Sequence, residues 1–234
     1  TFNDTDGDPY TNNLNGIGSH RNRSTGIVAE LNWDLGAAVL TAVTGWDDFE
    51  PTYLPSDQII FCSTRANRYV QCWMTQVATL YRCDADGSNL RALSANVEHD
   101  NTPWPLPDGR ILYMRWEYVD RSQVDYHHLW TTNPDGTGVM VYFGNQYPGY
   151  VMIDAKPIPD SDKIVASFSP GHGRAEHMGH VTIVDPKRGP DDMEMAQRVS
   201  EGSYRDPYPL SEDLFLVADT KGIHLLSGEG RSEL

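Results

Sequence analysis

The densest group of potential metal ligands in this 234-residue chain lies in a Gly-rich stretch close to residue 170. The motif SPGHG at residues 169–173 contains His172 and is followed by Glu176, His177 and His180. Neutral imidazoles together with a carboxylate are typical ligands of zinc and other divalent transition metals. The sequence therefore predicts that any metal site is formed by these four residues. The alternative interpretation is a loop of exposed histidines, in which His172 is hydrogen-bonded to backbone.

Two further groups of polar residues have a simpler structural explanation. His127 and His128 are adjacent, so on a strand their side chains point to opposite faces and do not meet in one site. His99 precedes Asp100, and such a pair has the composition of a catalytic base. We favour the interpretation that it caps loop backbone, because short polar side chains commonly do so.

Motifs that would indicate a catalyst are missing from the sequence. It contains no Gly-x-Ser-x-Gly, no phosphate-binding Gly loop and no His-Glu-x-x-His, and we therefore expect a non-catalytic protein. Covalent c-type haem is excluded because no Cys-x-x-Cys-His occurs. Cys62 and Cys72 are spaced to close a disulfide loop in an oxidising compartment, or are buried thiols, and the sequence leaves both alternatives open.

The charge of the chain limits its partners. Its formal net charge is −15, which repels nucleic-acid phosphates and anionic lipid headgroups. Hydrophobic residues make up 39% of the chain, enough for a packed core. No apolar run approaches the roughly 20 residues of a membrane-spanning helix. We expect a protein or small-molecule partner and no nucleic acid.

The elements that position these residues follow a repeat. Pro-rich turns place apolar anchors 52 residues apart, at Leu54, Leu106, Ile158 and Leu210. Each anchor leads through a polar turn into a short apolar strand, and a second hairpin follows with an Asp-Gly turn, as in DADG at residues 84–87. The unit is a four-stranded propeller blade. Residues 50–234 are predicted to form about three and a half blades of an all-β partial propeller.

Residues 1–49 have a different character. Alternating apolar residues predict a β-hairpin with strands of barrel-spanning length. Residues 31–36 (LNWDLG) and 40–46 (LTAVTGW) resemble a strand pair of TonB-dependent outer-membrane receptors, which implies membrane contact, and an uptake function, through this segment only. The division into 1–49 and 50–234 lacks a Gly- or Ser-rich linker, so we expect a fragment or a chimera.

Residues from about 50 to 227 resemble the middle-domain propeller of the hydrazine synthase alpha-subunit family, which is related to TolB-like propellers. The motifs that carry this resemblance are LPDGRILY at 106–113, RWEYVD at 115–120 and LWTTNPDGTG at 129–138. The resemblance implies a scaffold or binding module in a periplasmic or secreted bacterial protein. The alternative that it implies is a metal- or haem-positioning domain of an oxidoreductase subunit. The family's His-His pair is absent, since Gly173 follows His172.

Overall fold

The computed structural model describes residues 28–34, 39–45, 50–72, 74–171, 177–230 and 232–233, with the first two ranges and the last described only as strands. Regular structure in these residues is β-strand, apart from the 3-10 turns Pro186–Arg188 and Met193–Met195. Among the described residues, no helix is long and apolar enough to cross a membrane.

The N-terminal segment contains one antiparallel hairpin. Strand β1 (Val28–Asp34) pairs with β2 (Val39–Gly45), and Trp33 lies opposite Leu40. This confirms the hairpin that the alternating pattern predicts. The remainder of residues 1–49 lies outside the described residues.

The rest of the chain folds into four consecutive four-stranded blades. Blade 1 contains β3 (Thr52–Tyr53), β4 (Ile59–Ser63), β5 (Thr79–Cys83) and β6 (Arg91–Ala92). Blade 2 contains β7 (Asp100–Pro105), β8 (Ile111–Trp116), β9 (Tyr126–Thr132) and β10 (Met140–Phe143). Blade 3 contains β11 (Tyr150–Pro157), β12 (Ile164–Ser169), β13 (His180–Val184) and β14 (Ala196–Arg198). Blade 4 contains β15 (Arg205–Ser211), β16 (Leu214–Ala218), β17 (Ile223–Ser227) and β18 (Ser232–Glu233).

The partial propeller is therefore confirmed, and it holds four blades where the sequence predicts three and a half. The extra half blade comes from β17 and the two-residue strand β18, which the turn before Gly230 brings back onto β17. One feature departs from a simple blade series. Strand β11 also pairs in parallel with β9, where Tyr150 lies opposite Tyr126, so that blades 2 and 3 share one sheet.

Three of the four anchors are buried in the cores between blades. Leu54, Leu106 and Ile158 are 3%, 6% and 1% exposed, and each belongs to an apolar cluster shared by its own blade and the next. The fourth anchor, Leu210, is 42% exposed. Leu210 has the same place in its blade as Leu106, since Pro209 pairs with Phe215 as Pro105 pairs with Ile111, but among the described residues no other blade packs on it.

The three cysteines are not joined in disulfides. Cys62 is buried in the core between blades 1 and 2, Cys83 is also buried, and Cys72 is exposed in the loop after β4. The structure thus favours the second of the two alternatives for Cys62, a buried thiol, whose sulfur lies 3.3 Å from the carbonyl oxygen of Asp100.

The direction of the strands sorts the loops onto two faces. Because neighbouring strands in a blade are antiparallel, the loops after the second and fourth strands share one end. These include the longest connection, 64–78, together with 117–125 and 170–179. We call this end the long-loop face. The opposite end carries the tight turns, such as Asp84–Ser88 and Asn133–Thr137, each closed by a pair of backbone hydrogen bonds.

Candidate functional site

The centre of the blade array is formed by the first strand of each blade. Strands β3, β7, β11 and β15 contact one another in succession. Each of these strands carries, or begins two residues after, a non-glycine residue with a left-handed backbone: Glu50, Thr102, Asp154 and Asp206, with φ of 37°, 52°, 59° and 47°. These four residues are spaced by 52, like the anchors, and we call them the axial layer. Positive φ is uncommon for such residues, so its repetition indicates a built feature.

The axial layer is linked from blade to blade by hydrogen bonds. The backbone N–H of Thr102 donates to the carboxylate of Glu50, and that of Asp154 donates to the hydroxyl oxygen of Thr102 at 3.3 Å. The backbone of Asp206 is in turn hydrogen-bonded to the carboxylate of Asp154. Each side chain therefore accepts from the equivalent residue of the next blade. The left-handed backbone is stabilised by these bonds, which satisfy N–H groups that the strand bulges release from the ladder.

Three carboxylates meet in this layer. Burial, and to a smaller extent the neighbouring charge of Asp154, raise the pKa of Glu50 to about 8. Burial also raises the pKa of Asp154, which is 5% exposed, and the Asp206 charge acts in the same direction. The Oδ2 atom of Asp154 is buried and accepts no hydrogen bond from the described residues. A carboxylate oxygen in this state is costly, because a buried charge needs a partner.

A second layer lies two residues further along β7, β11 and β15, at Trp104, Lys156 and Tyr208. Lys156 donates from Nζ to the backbone carbonyl of Asp154 at 3.3 Å, and Nζ lies 5.2 Å from the ring centroid of Trp104. The Trp104 ring in turn meets Tyr208 edge-on, with centroids 6.2 Å apart. Because these strands start at the long-loop face, the axial layer lies closer to that face than the second layer does.

The predicted metal ligands are only partly visible. His177 is exposed, and its charge lowers the pKa of Asp154, so it lies near the axial layer. His180 begins β13, with Nδ1 3.3 Å from the carbonyl oxygen of Gly202. His172 and Glu176 lie outside the described residues. Within the described ranges no three His, Cys, Asp or Glu residues are arranged to hold a metal ion. The four-ligand site therefore stays a prediction.

The other polar pairs are structural, as the sequence indicates. His99 Nδ1 accepts from the backbone N–H of Ala78 at 3.1 Å, which is a backbone cap. His127 stacks on Trp116 at 5.3 Å, while His128 Nε2 accepts from the indole N–H of Trp130 at 2.9 Å. Burial lowers the pKa of His128 to about 3, so this imidazole is neutral at physiological pH.

The axial layer was not evident from the sequence, although a signal for it exists. Motif analysis looks for ligands that are close together in the chain, whereas these residues are brought together only by the fold. The signal is the position four residues before each anchor, which is polar in all four repeats: Glu50, Thr102, Asp154 and Asp206. The layer can be found by aligning the four repeats on their anchors. It is the position that is polar in all four repeats and that faces the centre.

Comparison with known proteins supports the fold. No family model matches the chain, and no curated protein sequence matches it. Among solved structures, hydrazine synthase of Kuenenia stuttgartiensis is similar with a TM-score of 0.62 and 19% identity, over 86% of this chain and 29% of that one. A putative TolB from Agrobacterium tumefaciens gives a TM-score of 0.55 and 13% identity, over 84% and 68%. TolB from Acinetobacter baumannii gives 0.52 and 13%, over 82% and 44%.

These likenesses show a TolB-like β-propeller fold. The chain spans only 29% of the hydrazine synthase chain and 44% of the Acinetobacter TolB chain. At such identities the fold is shared, while the residues of any active site are not transferred. The comparisons add no support for a TonB-dependent receptor in residues 1–49.

Proposed function

We propose that residues 50–234 form a non-catalytic binding module that holds a cationic group of a protein or small-molecule partner in the axial layer. The observation that carries this proposal is the Oδ2 atom of Asp154, which is buried, unpartnered and adjacent to two further carboxylates. An ammonium or guanidinium group supplies the missing donor. Charge-assisted hydrogen bonds of this kind contribute about 1.5–3 kcal/mol.

The electrostatics of the layer favour a cation over a neutral ligand. The charges of Asp154 and Asp206 raise the pKa of Glu50, and the charge of Asp206 raises the pKa of Asp154, which is a repulsion that a positive charge relieves. The charge of Lys156 lowers the pKa of Asp154 and of Glu50, but its Nζ donates to the backbone carbonyl of Asp154 and not to Oδ2. The chain's net charge of −15 also attracts cationic partners over a longer range.

The periplasmic or secreted location is part of the same proposal and is supported by the TolB-like fold. The competing function is a metal- or haem-positioning domain of an oxidoreductase. It depends on His172 and Glu176, and the hydrazine synthase likeness supports the scaffold alone. Outer-membrane uptake would concern residues 1–49 only. The structure describes the geometry of the axial layer, whereas His172 and Glu176 lie outside the described residues. We therefore favour the binding module.

The test is binding of a tetra-arginine peptide, measured by isothermal titration calorimetry. Asp154→Asn keeps the size of the side chain and the acceptor for Asp206 but replaces the unpartnered oxygen by an N–H donor. We expect at least about tenfold weaker binding, corresponding to 1.4 kcal/mol. Asp160→Asn is the matched control, since Asp160 is exposed at the opposite face and the change in net charge is the same. Equal affinities for wild type and Asp154→Asn would reject the proposal.

A further inference from the structure

A groove of about 540 Å³ lies between blade 1 and blade 2, away from the axial layer. One wall is the segment 92–97, which contains the end of β6 and the chain that follows it. Blade 2 supplies the other lining residues, which are Arg115 of β8 together with Gly136 and Val139 beside β10. Small-molecule sites typically enclose about 300–1,000 Å³, so the groove has the size of a ligand site.

The two walls are held at a fixed distance by contacts between the blades. Gly136 has φ of 85° and packs so closely on blade 1 that a Cβ atom there would lie 2.7 Å from the carbonyl oxygen of Leu93. Arg82 of β5 donates from Nη1 to the carbonyl oxygen of Pro134 at 2.7 Å, which ties the same turn to blade 1. The groove is therefore formed before any ligand binds.

The guanidinium of Arg115 brings unused hydrogen-bond donors to this groove. Its Nε and Nη2 atoms donate to Asp100 at 2.8 and 3.1 Å, and its Cζ lies 4.8 Å from the ring centroid of Trp130. Nη1 has no hydrogen-bond partner among the described residues, and it is not buried. Because the carboxylate and the indole fix the guanidinium, Nη1 is presented to a ligand at a defined position.

The other polar side chains of the lining are bonded within the protein. Ser94 Oγ accepts from the backbone N–H of Leu80 at 3.0 Å. Asn96 donates from Nδ2 to the carbonyl oxygen of Trp116 at 3.0 Å and accepts at Oδ1 from the N–H of Val97. The remaining lining side chains are apolar: Ala92, Leu93, Ala95, Val97 and Val139. The groove thus combines apolar walls with one cationic donor edge.

The blade repeat does not require an arginine at this position. Arg115 lies four residues after Ile111, and Phe168 lies four residues after Ile164, while both isoleucines pack against the anchor of the preceding blade. Phe168 is 5% exposed and belongs to the core between blades 2 and 3. Apolar side chains in place of a buried ion pair are often neutral or stabilising. Stability alone therefore does not account for Arg115 and Asp100.

We propose that this groove binds a small apolar monocarboxylate, with its carboxylate on Nη1 of Arg115 and its hydrocarbon chain against Leu93 and Val139. A guanidinium pairs with a carboxylate through charge-assisted hydrogen bonds. A dianion such as phosphate is disfavoured, because Asp100 lies beside the guanidinium and the chain carries a net charge of −15. The site shares no residue with the axial layer, so the two proposals stand or fall separately.

The experiment is a saturation-transfer NMR titration of the full chain with hexanoate and with its neutral isostere hexanamide. We expect saturable binding of hexanoate and at least about fivefold weaker binding of hexanamide. Val139→Asp places a negative charge on the wall at a residue that is 41% exposed, and it should weaken hexanoate binding by a similar factor. Val139→Asn has nearly the same shape without the charge and should bind within about twofold of wild type.

Val124→Asp is the control for net charge, since Val124 is an exposed residue of the 117–125 loop and does not line the groove. It should bind hexanoate like wild type. Arg115→Met should abolish binding, with circular dichroism reporting whether the variant is folded. If it is unfolded, the two Val139 variants decide the question.

Four results would overturn the proposal. A wild type without saturable hexanoate binding excludes the site. Equal affinities for hexanoate and hexanamide show that the charge of Arg115 is not used. Equal affinities of Val139→Asp and Val139→Asn, or an equal loss in Val124→Asp, show that the ligand does not lie in the groove. Undiminished binding by a folded Arg115→Met variant excludes Arg115 as the carboxylate partner.

Discussion

The backbone N–H of Asp154 donates a hydrogen bond to the hydroxyl oxygen of Thr102 at 3.3 Å, across 52 residues of sequence. The same interval separates the anchors that fill the cores between blades. Successive blades are therefore fixed to each other twice, once by an apolar contact at the anchor and once by a polar contact at the centre. A slip of one residue between repeats would break both contacts, because it would turn the side chains to the other face.

The first prediction concerns this inter-blade bond. Thr102→Val keeps the size and the β-branching of the side chain, so the strain of the left-handed backbone is unchanged, but it removes the acceptor. The N–H of Asp154 is then left unsatisfied in a buried position. We expect a loss of about 1–3 kcal/mol in the free energy of unfolding, measured by urea denaturation.

Thr137→Val is the matched control for that measurement. Thr137 lies in the β9–β10 turn, where its hydroxyl is bonded to the exposed Asp135. The same chemical change there should cost less than about 0.5 kcal/mol. An equal cost for the two variants would show that the axial bond contributes nothing specific to stability.

The second prediction concerns the pH dependence of stability through Glu50. Its pKa is about 8 in the folded chain and 4.5 without perturbation, so between these values the folded state binds more protons than the unfolded one. Stability must therefore decrease as the pH rises through this window. Glu50→Gln keeps an acceptor for Thr102 and cannot ionise. In thermal melts from pH 5 to pH 9 it should show a smaller fall in Tm than wild type, and parallel curves would contradict the assignment.

Much of the fold follows from the sequence because its repeat is local. Each strand and each Asp-Gly turn is specified by residues within a few positions, and the 52-residue interval then orders the blades. Leu210 shows the limit of what such local patterns can predict. Its sequence context equals that of Leu106, but burial depends on a neighbouring blade, which no local pattern reports. Blade 4 was only half counted for a similar reason, since a two-residue strand such as β18 carries almost no periodic signal.

The candidate site was harder to predict than the fold. The metal prediction at His172 relied on ligands that are close in sequence, and closeness in sequence is a weak guide in a propeller, where the centre collects one residue from each blade. Glu50 and Asp206 lie beside Asp154 in the structure. In the sequence, consecutive residues of the axial layer are 52 positions apart. Only the fold converts that spacing into proximity.

The third prediction is that Asp154→Asn changes stability and binding in opposite directions. Burial and the Asp206 charge raise the pKa of Asp154, so the ionised carboxylate destabilises the fold. The asparagine variant should be more stable than wild type, with a gain that grows as the pH rises and the wild-type carboxyl ionises. Its affinity for tetra-arginine should fall. Urea denaturation at pH 6 and pH 9 measures the first effect, and a variant less stable than wild type at pH 9 would contradict it.

The last prediction concerns the buried ion pair of blade 2. Arg115 donates to both oxygens of Asp100 at 2.8 and 3.1 Å, and Asp100 is fully buried. Arg115→Met leaves that carboxylate without its cation, which typically costs about 3–5 kcal/mol. The bond to Arg115 lowers the pKa of Asp100 against the rise that burial causes, so in the variant the pKa rises further. The destabilisation should therefore shrink as the pH falls and the carboxyl becomes neutral.

Arg110→Met breaks the partly exposed pair with Asp108 and should cost no more than about 1 kcal/mol. Urea denaturation of both variants at pH 5 and pH 8 separates these effects. A cost for Arg115→Met that is small, or that grows towards acid pH, would show that the pair does not stabilise the fold in this way.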